Sequence, residues 1–264
     1  MHKRVLLKLS GEALITDVSS IFACQDGSSE ASEDSKNPAI GSYCCPEKIP
    51  NFGVANKTML TKIVIDVKKI LEKGVEVALV IGGGNICRGA NTSADRTNID
   101  KIGMIATVIN GLILTEAFSA VGIKAVVLSV RSMPAVCELY TTTSAKQYLA
   151  SGVVVICAGG SGQPFFSTDT AAVIRARELE CDVLFKATKV DGLYDSDPQK
   201  NPAAKYIESI THSDFLRQNM GIMDLTAVSL ARDGRLPIEI FSIYENDVLC
   251  RVIDNKTKKS VIAS

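Results

Sequence analysis

The stretch "VVVICAGGSGQPFFSTDTAAVIRA", Val153–Ala176, decides how the chain is read. It opens as a continuous apolar run. It then spends Gly159, Gly160 and Gly162 on a loop, shows two phenylalanines, and enters a helical pattern through Ser167, Thr168 and Asp169. A strand that is apolar on both faces is buried on both sides, as in a parallel sheet covered by helices. Glycines between such a strand and a helix are compatible with a plain turn. They are equally compatible with a backbone cradle for an anion, because glycine lets N–H groups approach closely and a helix N-terminus favours negative charge.

Working outward, the alternation repeats. "RVLLKL" and "VEVALVI" read as strands, and the segment between Thr58 and Gly74 puts Leu60, Ile63, Val64, Val67, Ile70 and Leu71 at helical spacing. A helix is expected at about Asp100–Ala120, and others near Ser144–Ala150, up to Leu179, Leu225–Arg232 and Asp247–Ile253. Strands are expected at "KAVVLSV", "DVLFKAT", "LPIEIFSI" and, closing the chain, "SVIA". This is an α/β chain with a mainly parallel sheet. In such sheets ligands bind beyond the carboxyl ends of the strands. The glycines gather there: Gly11, then Gly82–Gly84, then Gly159–Gly162. From about Asp17 to Pro50 the chain is polar, aperiodic and rich in Ser, Asp and Glu, which reads as a solvated loop or insertion.

Composition removes several classes. Lysine plus arginine and aspartate plus glutamate are 29 each, and tryptophan is absent, so nothing calls for nucleic acid or a membrane as partner. No apolar run reads as long enough to span a bilayer, and Lys8 interrupts the N-terminal apolar run, against a signal peptide. The eight cysteines (Cys24, Cys44, Cys45, Cys87, Cys137, Cys157, Cys181, Cys250) form no C-x-x-C pair, and His2 and His212 read as ordinary surface residues. A zinc site is therefore not expected, and the compartment reads as reducing and cytoplasmic.

Two lysines stand out. Lys8 and Lys186 each lie near the carboxyl end of an apolar strand. A buried lysine is costly unless it meets an anion, so two at one rim of a sheet suit a transferring phosphoryl group. Arg88, just past "GGGNIC", adds a fork-shaped phosphate donor or is a surface arginine. There is no G-x-x-x-x-G-K-[ST] loop, and Cys87 breaks the G-x-G-x-x-G dinucleotide pattern.

In this order, "KRVLLKLSGEAL", "VIGGGNICRGA", "IDKIGMIATVINGL", "AGGSGQPFFSTDTAA", "DVLFKATKVDGLYDSDP" and "MDLTAVSLARDGRLPI" resemble the amino acid kinase superfamily and, within it, the bacterial uridylate (UMP) kinases. The resemblance covers nearly all of the chain except Asp17–Pro50. It implies one amino acid kinase-like domain over residues 1–264, a three-layer α/β/α sandwich with a mainly parallel central sheet and an insertion at about 17–50. It also implies phosphorylation of UMP to UDP by ATP, with Mg²⁺ travelling with the ATP. Lys8, Leu9, Ser10 and Gly11 would meet the ATP phosphates, with Gly84 and Arg88 on that side. Thr188, Tyr194 and Asp197 would border the ATP nucleoside. Gly83, Arg88 and Asp100 would hold UMP, wrapped by Ser161, Gly162, Gln163, Pro164, Phe165, Phe166, Ser167 and Thr168. Lys186 would join Lys8 at the transferring group, and Asp169 would order the two lysines. Members of the family are homohexamers, activated by GTP and inhibited by UTP, so the same is expected here. The departures are the roughly thirty extra residues after "GEAL" and Ser161 where threonine is common. A kinase for a small carboxylate or carbamate and a non-catalytic nucleotide-binding protein are the competing readings on the same fold.

Overall fold

The computed structural model describes residues 2–15, 48–87, 95–196, 198 and 200–264. Arg88, Asp197, Cys24, Cys44, Cys45 and most of the 17–50 segment lie outside the described residues. The end of that segment departs from the solvated reading, because Ile49 is buried in the core.

Strand β1 (Arg4–Leu9) is buried from its second residue on and runs into a 3₁₀ turn, Gly11–Ile15. Helix α1 (Lys57–Glu72) starts where the Asn56 side chain accepts from Met59 N, and it buries Leu60, Ile63, Val64, Val67 and Ile70. Next come β2 (Glu76–Ile81) and the long α2 (Arg96–Ala120). The second helix begins four residues before the expected Asp100, because the Asp95 carboxylate caps it by accepting from Thr97 N. Then follow β3 (Ala125–Ser129), the two-residue β4 (Glu138–Leu139), α3 (Thr142–Ala150), β5 (Val154–Ala158), α4 (Thr168–Glu178) and β6 (Val183–Thr188). A small hairpin of β7 (Leu193–Tyr194) and β8 (Tyr206–Ile207) precedes β9 (Ser209–Thr211), α5 (His212–Gln218) and α6 (Leu225–Asp233). The chain closes with β10 (Ile238–Ser242), α7 (Val248–Ile253) and β11 (Ser260–Ala263).

Among the described residues nine strands form one sheet in the order β4-β3-β5-β2-β1-β6-β10-β11-β9. Every pairing in it is parallel except β10 with β11. One face carries Leu7, Leu9, Leu79 and Phe185 against α1, α2 and α7, with Val64, Leu114, Phe118 and Leu249 facing them. The other carries Leu6, Val80 and Leu184 against α3, α4, α5 and α6, through Leu149, Val173, Phe215 and Val228. The α/β/α sandwich expected from the sequence is the observed architecture.

Three expectations need correction. His212 is not a surface residue: it is buried, with Nε2 3.0 Å from the Leu236 carbonyl and Nδ1 3.2 Å from Ser264 Oγ. A carbonyl only accepts, so Nε2 carries the proton and Nδ1 accepts from the serine. His2 is half-buried and meets Phe185 edge-on at 6.0 Å. The third correction is α2, which among the described residues is one helix long and apolar enough to cross a membrane by length and composition. Half of its most apolar window is buried inside the protein, where it packs on α1, β2, β3 and β5. Its apolarity is that of a core helix with an additional exposed stripe.

One buried ion pair lies away from the sheet rim. Lys62 Nζ donates to Asp66 Oδ2 at 2.6 Å, one helical turn apart, and both side chains are almost fully enclosed. Burial pushes the Asp66 carboxyl up despite the ammonium beside it. Desolvating two charges cancels most of their attraction, whereas stranding one is severe. Asp66→Ala should therefore cost about 3–5 kcal/mol. The double change Lys62→Met with Asp66→Leu should be at least as stable as the starting protein in urea unfolding. A double variant as weak as Asp66→Ala would show that the pair is a net stabiliser.

Candidate active site

Strands β1 and β6 are parallel neighbours, and their register sets Lys8 directly opposite Lys186. In-register residues on parallel strands point to the same face. The two ammonium groups are thus forced to one side of the sheet, where Lys8 is 8% and Lys186 6% exposed. The carboxylate of Asp169 sits between them: Lys8 Nζ is 2.7 Å from Oδ1 and Lys186 Nζ 2.6 Å from Oδ2. The Lys186 contact is a hydrogen bond, whereas the Lys8 contact is an ion pair without hydrogen-bond geometry. Burial works against the charge on Asp169, but the Lys186 and Lys8 ammonium groups outweigh it and hold the carboxyl far below the usual range. Burial, and then repulsion from Lys8, bring Lys186 down to about 8 against the pull of Asp169. Two cations on one anion leave the triad with a net positive charge.

Asp169 reaches this point because α4 starts there. Ser167 caps the helix by accepting from Thr170 N, and an acidic residue in the first turn suits the positive end of the helix. A second carboxylate fixes the start of α4 from outside. Asp224 Oδ2 accepts from Ser167 Oγ at 2.7 Å and Thr170 Oγ1 at 2.5 Å, while its Oδ1 caps α6 through Thr226 N. Burial opposes the charge on Asp224, but the bonds from Thr170 and Ser167 prevail and keep it ionised. The sequence reading missed Asp224; its signal was an aspartate immediately before the apolar "LTAVSLA" helix.

The opening loop takes the shape its glycines permit. Gly159, Gly160 and Gly162 have φ of 82°, 62° and 83°, the left-handed region that side chains disfavour. Phe165 shares that region at φ 70° without being glycine, a strain on the order of 1–3 kcal/mol. Its N–H donates to Asp100 Oδ2 at 2.7 Å, and the same carboxylate accepts from Arg96 Nε at 3.0 Å and 3.1 Å. Asp100 therefore already holds the loop and its own helix.

A cleft of about 150 Å³ opens between this loop, Gly83–Gly84 and α2. Of the residues expected around UMP, Gly83, Asp100, Ser161, Phe166 and Thr168 line it, as does Gly84. Gly162, Gln163, Pro164, Phe165 and Ser167 do not. Gly162 faces Val130 and accepts at its carbonyl from Arg131, Ser167 serves as the cap, and Phe165 points to solvent. Cys87, Met104 and Thr107 line the cleft without having been expected.

On the other side, Ser10 accepts from Ala13 N to shape the turn after β1, and Gly11 abuts Gly82 and Gly84. A second cavity of about 440 Å³ lies between the β7 hairpin and the α5–α6 connection, with Tyr194 in its wall. Thr188 is not in that wall; its hydroxyl accepts from Val190 N and shapes the turn after β6. Among the described residues no group of three His, Cys, Asp or Glu side chains is placed to hold a metal ion. The buried Cys157 thiol is pushed up to about 12 by burial and is not nucleophilic.

The chain matches the amino acid kinase family over residues 3–242. It is 42% identical to the uridylate kinase of Rickettsia bellii over 264 residues, covering 99% of this chain and 97% of the relative. It is 43% identical to that of Magnetococcus marinus, covering 98% and 95%. Among solved structures it superposes on UMP kinase from Bacillus anthracis with a TM-score of 0.82 and 34% identity, over 99% of this chain and 96% of that one. The UMP kinase of Ureaplasma parvum gives a TM-score of 0.82 at 29% identity, over the whole of both chains. The chain that clamps this lysine pair on one carboxylate, where glycine loops end a parallel sheet, thus belongs to the amino acid kinase family and, within it, to the uridylate kinases.

Proposed function

We propose that the chain transfers the terminal phosphoryl group of ATP to UMP, giving ADP and UDP. The observation that carries this reading is the Lys8–Asp169–Lys186 triad, buried and net positive, with the cleft beside α2 reaching Thr168 next to Asp169. A UMP phosphate oxygen attacks the γ-phosphorus. The new P–O bond forms as the bond to the β,γ-bridging oxygen breaks, and ADP leaves with that electron pair. The nucleophile is already anionic and needs no strong base. The obstacle is bringing two anions together, and catalysis is positioning plus charge neutralisation. Lys8 and Lys186 supply the fixed positive charge. Asp169 keeps both ammonium groups aimed at the rim, and because its own oxygens are engaged it acts as an orienting group rather than a base.

In this reading Leu9, Ser10, Gly11 and Gly84 serve the ATP phosphates, and Thr188, Tyr194 and Asp197 the nucleoside beyond them, with Tyr194 in the wall of the cavity beside the β7 hairpin. In the same reading Gly83, Asp100 and the Ser161–Thr168 loop serve UMP, through Gly83, Asp100, Ser161, Phe166 and Thr168 in the cleft, and Arg88 serves the phosphates. Mg²⁺ carried by ATP would withdraw charge from the transferring group, and among the described residues no His, Cys, Asp or Glu cluster is placed to hold it. The reading is of one domain carrying an insertion at about 17–50, working in the cytoplasm as a homohexamer that responds to GTP and UTP. Self-association is supported by the outer side of α2, where Ile102, Ile105, Ile109 and Leu112 are exposed at three- and four-residue spacing.

The direct test is coupled ADP release with UMP, CMP, dTMP, glutamate, aspartate and carbamate side by side. UMP should be turned over fastest; turnover of glutamate or carbamate without UMP would reverse the assignment. Lys8→Ala and Lys186→Ala should each lower kcat by roughly a hundred- to a thousandfold while leaving the fold intact, the loss typical of one preorganised charge. Wild-type kcat in both folded variants would remove the clamp.

The low value for Lys186 fixes a pH dependence. Raising pH through about 8 discharges the triad, so kcat/KM for ATP should fall on that side, with an apparent pKa that belongs to the three groups together. The same group changes stability in the opposite sense. Between about 8 and the ordinary lysine value of 10.5 the unfolded chain holds the proton and the folded one does not, so Lys186 favours folding more as pH rises. Discharge of Lys186 therefore lowers activity without itself weakening the fold. Lys186→Arg stays charged throughout and should abolish the basic limb at a lower plateau. An unchanged limb in that variant would assign the titration elsewhere.

A further inference from the structure

Asn110 is wholly buried about four turns into α2. An amide there is costly unless its bonds are made. All of them are directed at one loop. Asn110 Nδ2 donates to the Gly82 carbonyl at 2.7 Å and to Asn85 Oδ1 at 2.7 Å, and Asn110 Oδ1 accepts from Asn85 Nδ2 at 2.9 Å. The orientations are forced. The Gly82 carbonyl only accepts, and so does the Val54 carbonyl, which receives the Asn85 amide at 2.9 Å. The two side chains thus form a reciprocal amide pair beneath the glycine run.

Gly82 is also the point where the two phosphate-side loops touch. Its N–H donates to the Leu9 carbonyl at 2.9 Å. A Cβ on Gly11 would stand 2.6 Å from Gly82 O, 2.6 Å from Gly84 N and 2.7 Å from Asn85 Oδ1. The loop after β1 and the loop after β2 therefore lie backbone against backbone at Gly11, Gly82 and Gly84, with the Asn85 amide packed against the same point. The Gly82 peptide is held by Leu9 on one side and by Asn110 on the other. One turn earlier, Thr107 accepts from Gly159 N at 2.8 Å and donates to the Met104 carbonyl, so the same helix face ties down the third glycine loop.

We propose that Asn110 is a positioning residue: through Gly82 and Asn85 it fixes the gap between the glycine loops that hold the donor and acceptor phosphates. This rests on reading those loops as the nucleotide phosphate sites. Asn110 lies behind the loop and does not line the cleft, so it acts through the peptide it holds. Without it Gly82 keeps a glycine's freedom to rotate, and a shift near 1 Å between reacting groups costs on the order of a hundredfold in rate.

The test compares Asn110→Ala, Asn85→Ala and the double variant with the wild type, measuring kcat and both KM values for UMP and ATP. Amide hydrogen exchange across Gly83–Cys87 is followed in the absence of nucleotide. Each single variant should lose about ten- to a hundredfold in kcat with KM changes of only a few-fold, because the binding groups remain. Exchange across Gly83–Cys87 should speed up. The double variant should be no worse than the weaker single, since both break one tie. A folded Asn110→Ala protein with wild-type kcat, unchanged exchange in the loop, or losses that multiply in the double variant would each overturn the proposal. Should Asn110→Ala not fold, the half-buried Asn85 decides the matter by the same two readouts. A wild type that phosphorylates another acceptor and not UMP would strike the substrate reading alone, and the variants would then be measured on that acceptor.

Discussion

Everything at the rim of this sheet depends on how two buried ammonium groups on adjacent strands are kept charged. The parallel register of β1 and β6 leaves Lys8 and Lys186 no choice but the same face. Desolvation and repulsion from Lys8 both favour proton loss at Lys186. One carboxylate, Asp169, bridges them and leaves one positive charge over. An anion of matching shape is then the missing partner, and a phosphoryl group in transit meets the requirement. The rest of the site can be read as the means of holding that carboxylate still: Ser167 caps its helix, and Asp224 ties the cap to α6.

The second organising element is α2, which has little idle surface. Gly103, Ala106, Thr107 and Asn110 meet the glycine loops; a Cβ on Gly83 would stand 2.8 Å from Ala106 Cβ and from the Gly103 carbonyl. Leu114, Ala117 and Phe118 fill the core. Asp100 reaches forward to hold the strained Phe165. The remaining stripe of isoleucines and Leu112 is exposed. That division explains why the helix is apolar enough to pass for a membrane span while half of its apolar window is buried in the protein.

What the chain made legible beforehand follows from what periodicity and cost can report. Lys8 and Lys186 were visible because a lysine inside an apolar strand is expensive, and the glycines were visible because they cluster at strand ends. The sandwich was visible because strands and helices alternate. The features that escaped reading are those whose meaning lies in a contact. Asn110 and Thr107 look like ordinary polar residues of a helix until the facing loop is known. Asp224 looks like a simple cap until its other oxygen is seen to serve α4. His212 sits in a polar stretch, and its burial appears only once the Leu236 carbonyl and Ser264 are seen to engage both ring nitrogens. The β7–β8 hairpin and α5 are too short for periodicity to register, and β4 is two residues long.

A fixed positive triad raises a question of direction that charge counting answers. ATP with UMP and ADP with UDP carry the same total charge, so a fixed cation attracts reactants and products alike. Uniform attraction of that kind cannot accelerate transfer. What distinguishes the midpoint is where the charge lies: in a loose phosphoryl transition state it is shared between the transferring group and the leaving oxygen, between the two nucleotides. A cation on one nucleotide's side would favour that nucleotide's ground state. Lys8 and Lys186 stand directly opposite each other on neighbouring central strands. Their value lies in that central placement, and this is why the spacing of the loops on either side matters as much as the lysines themselves.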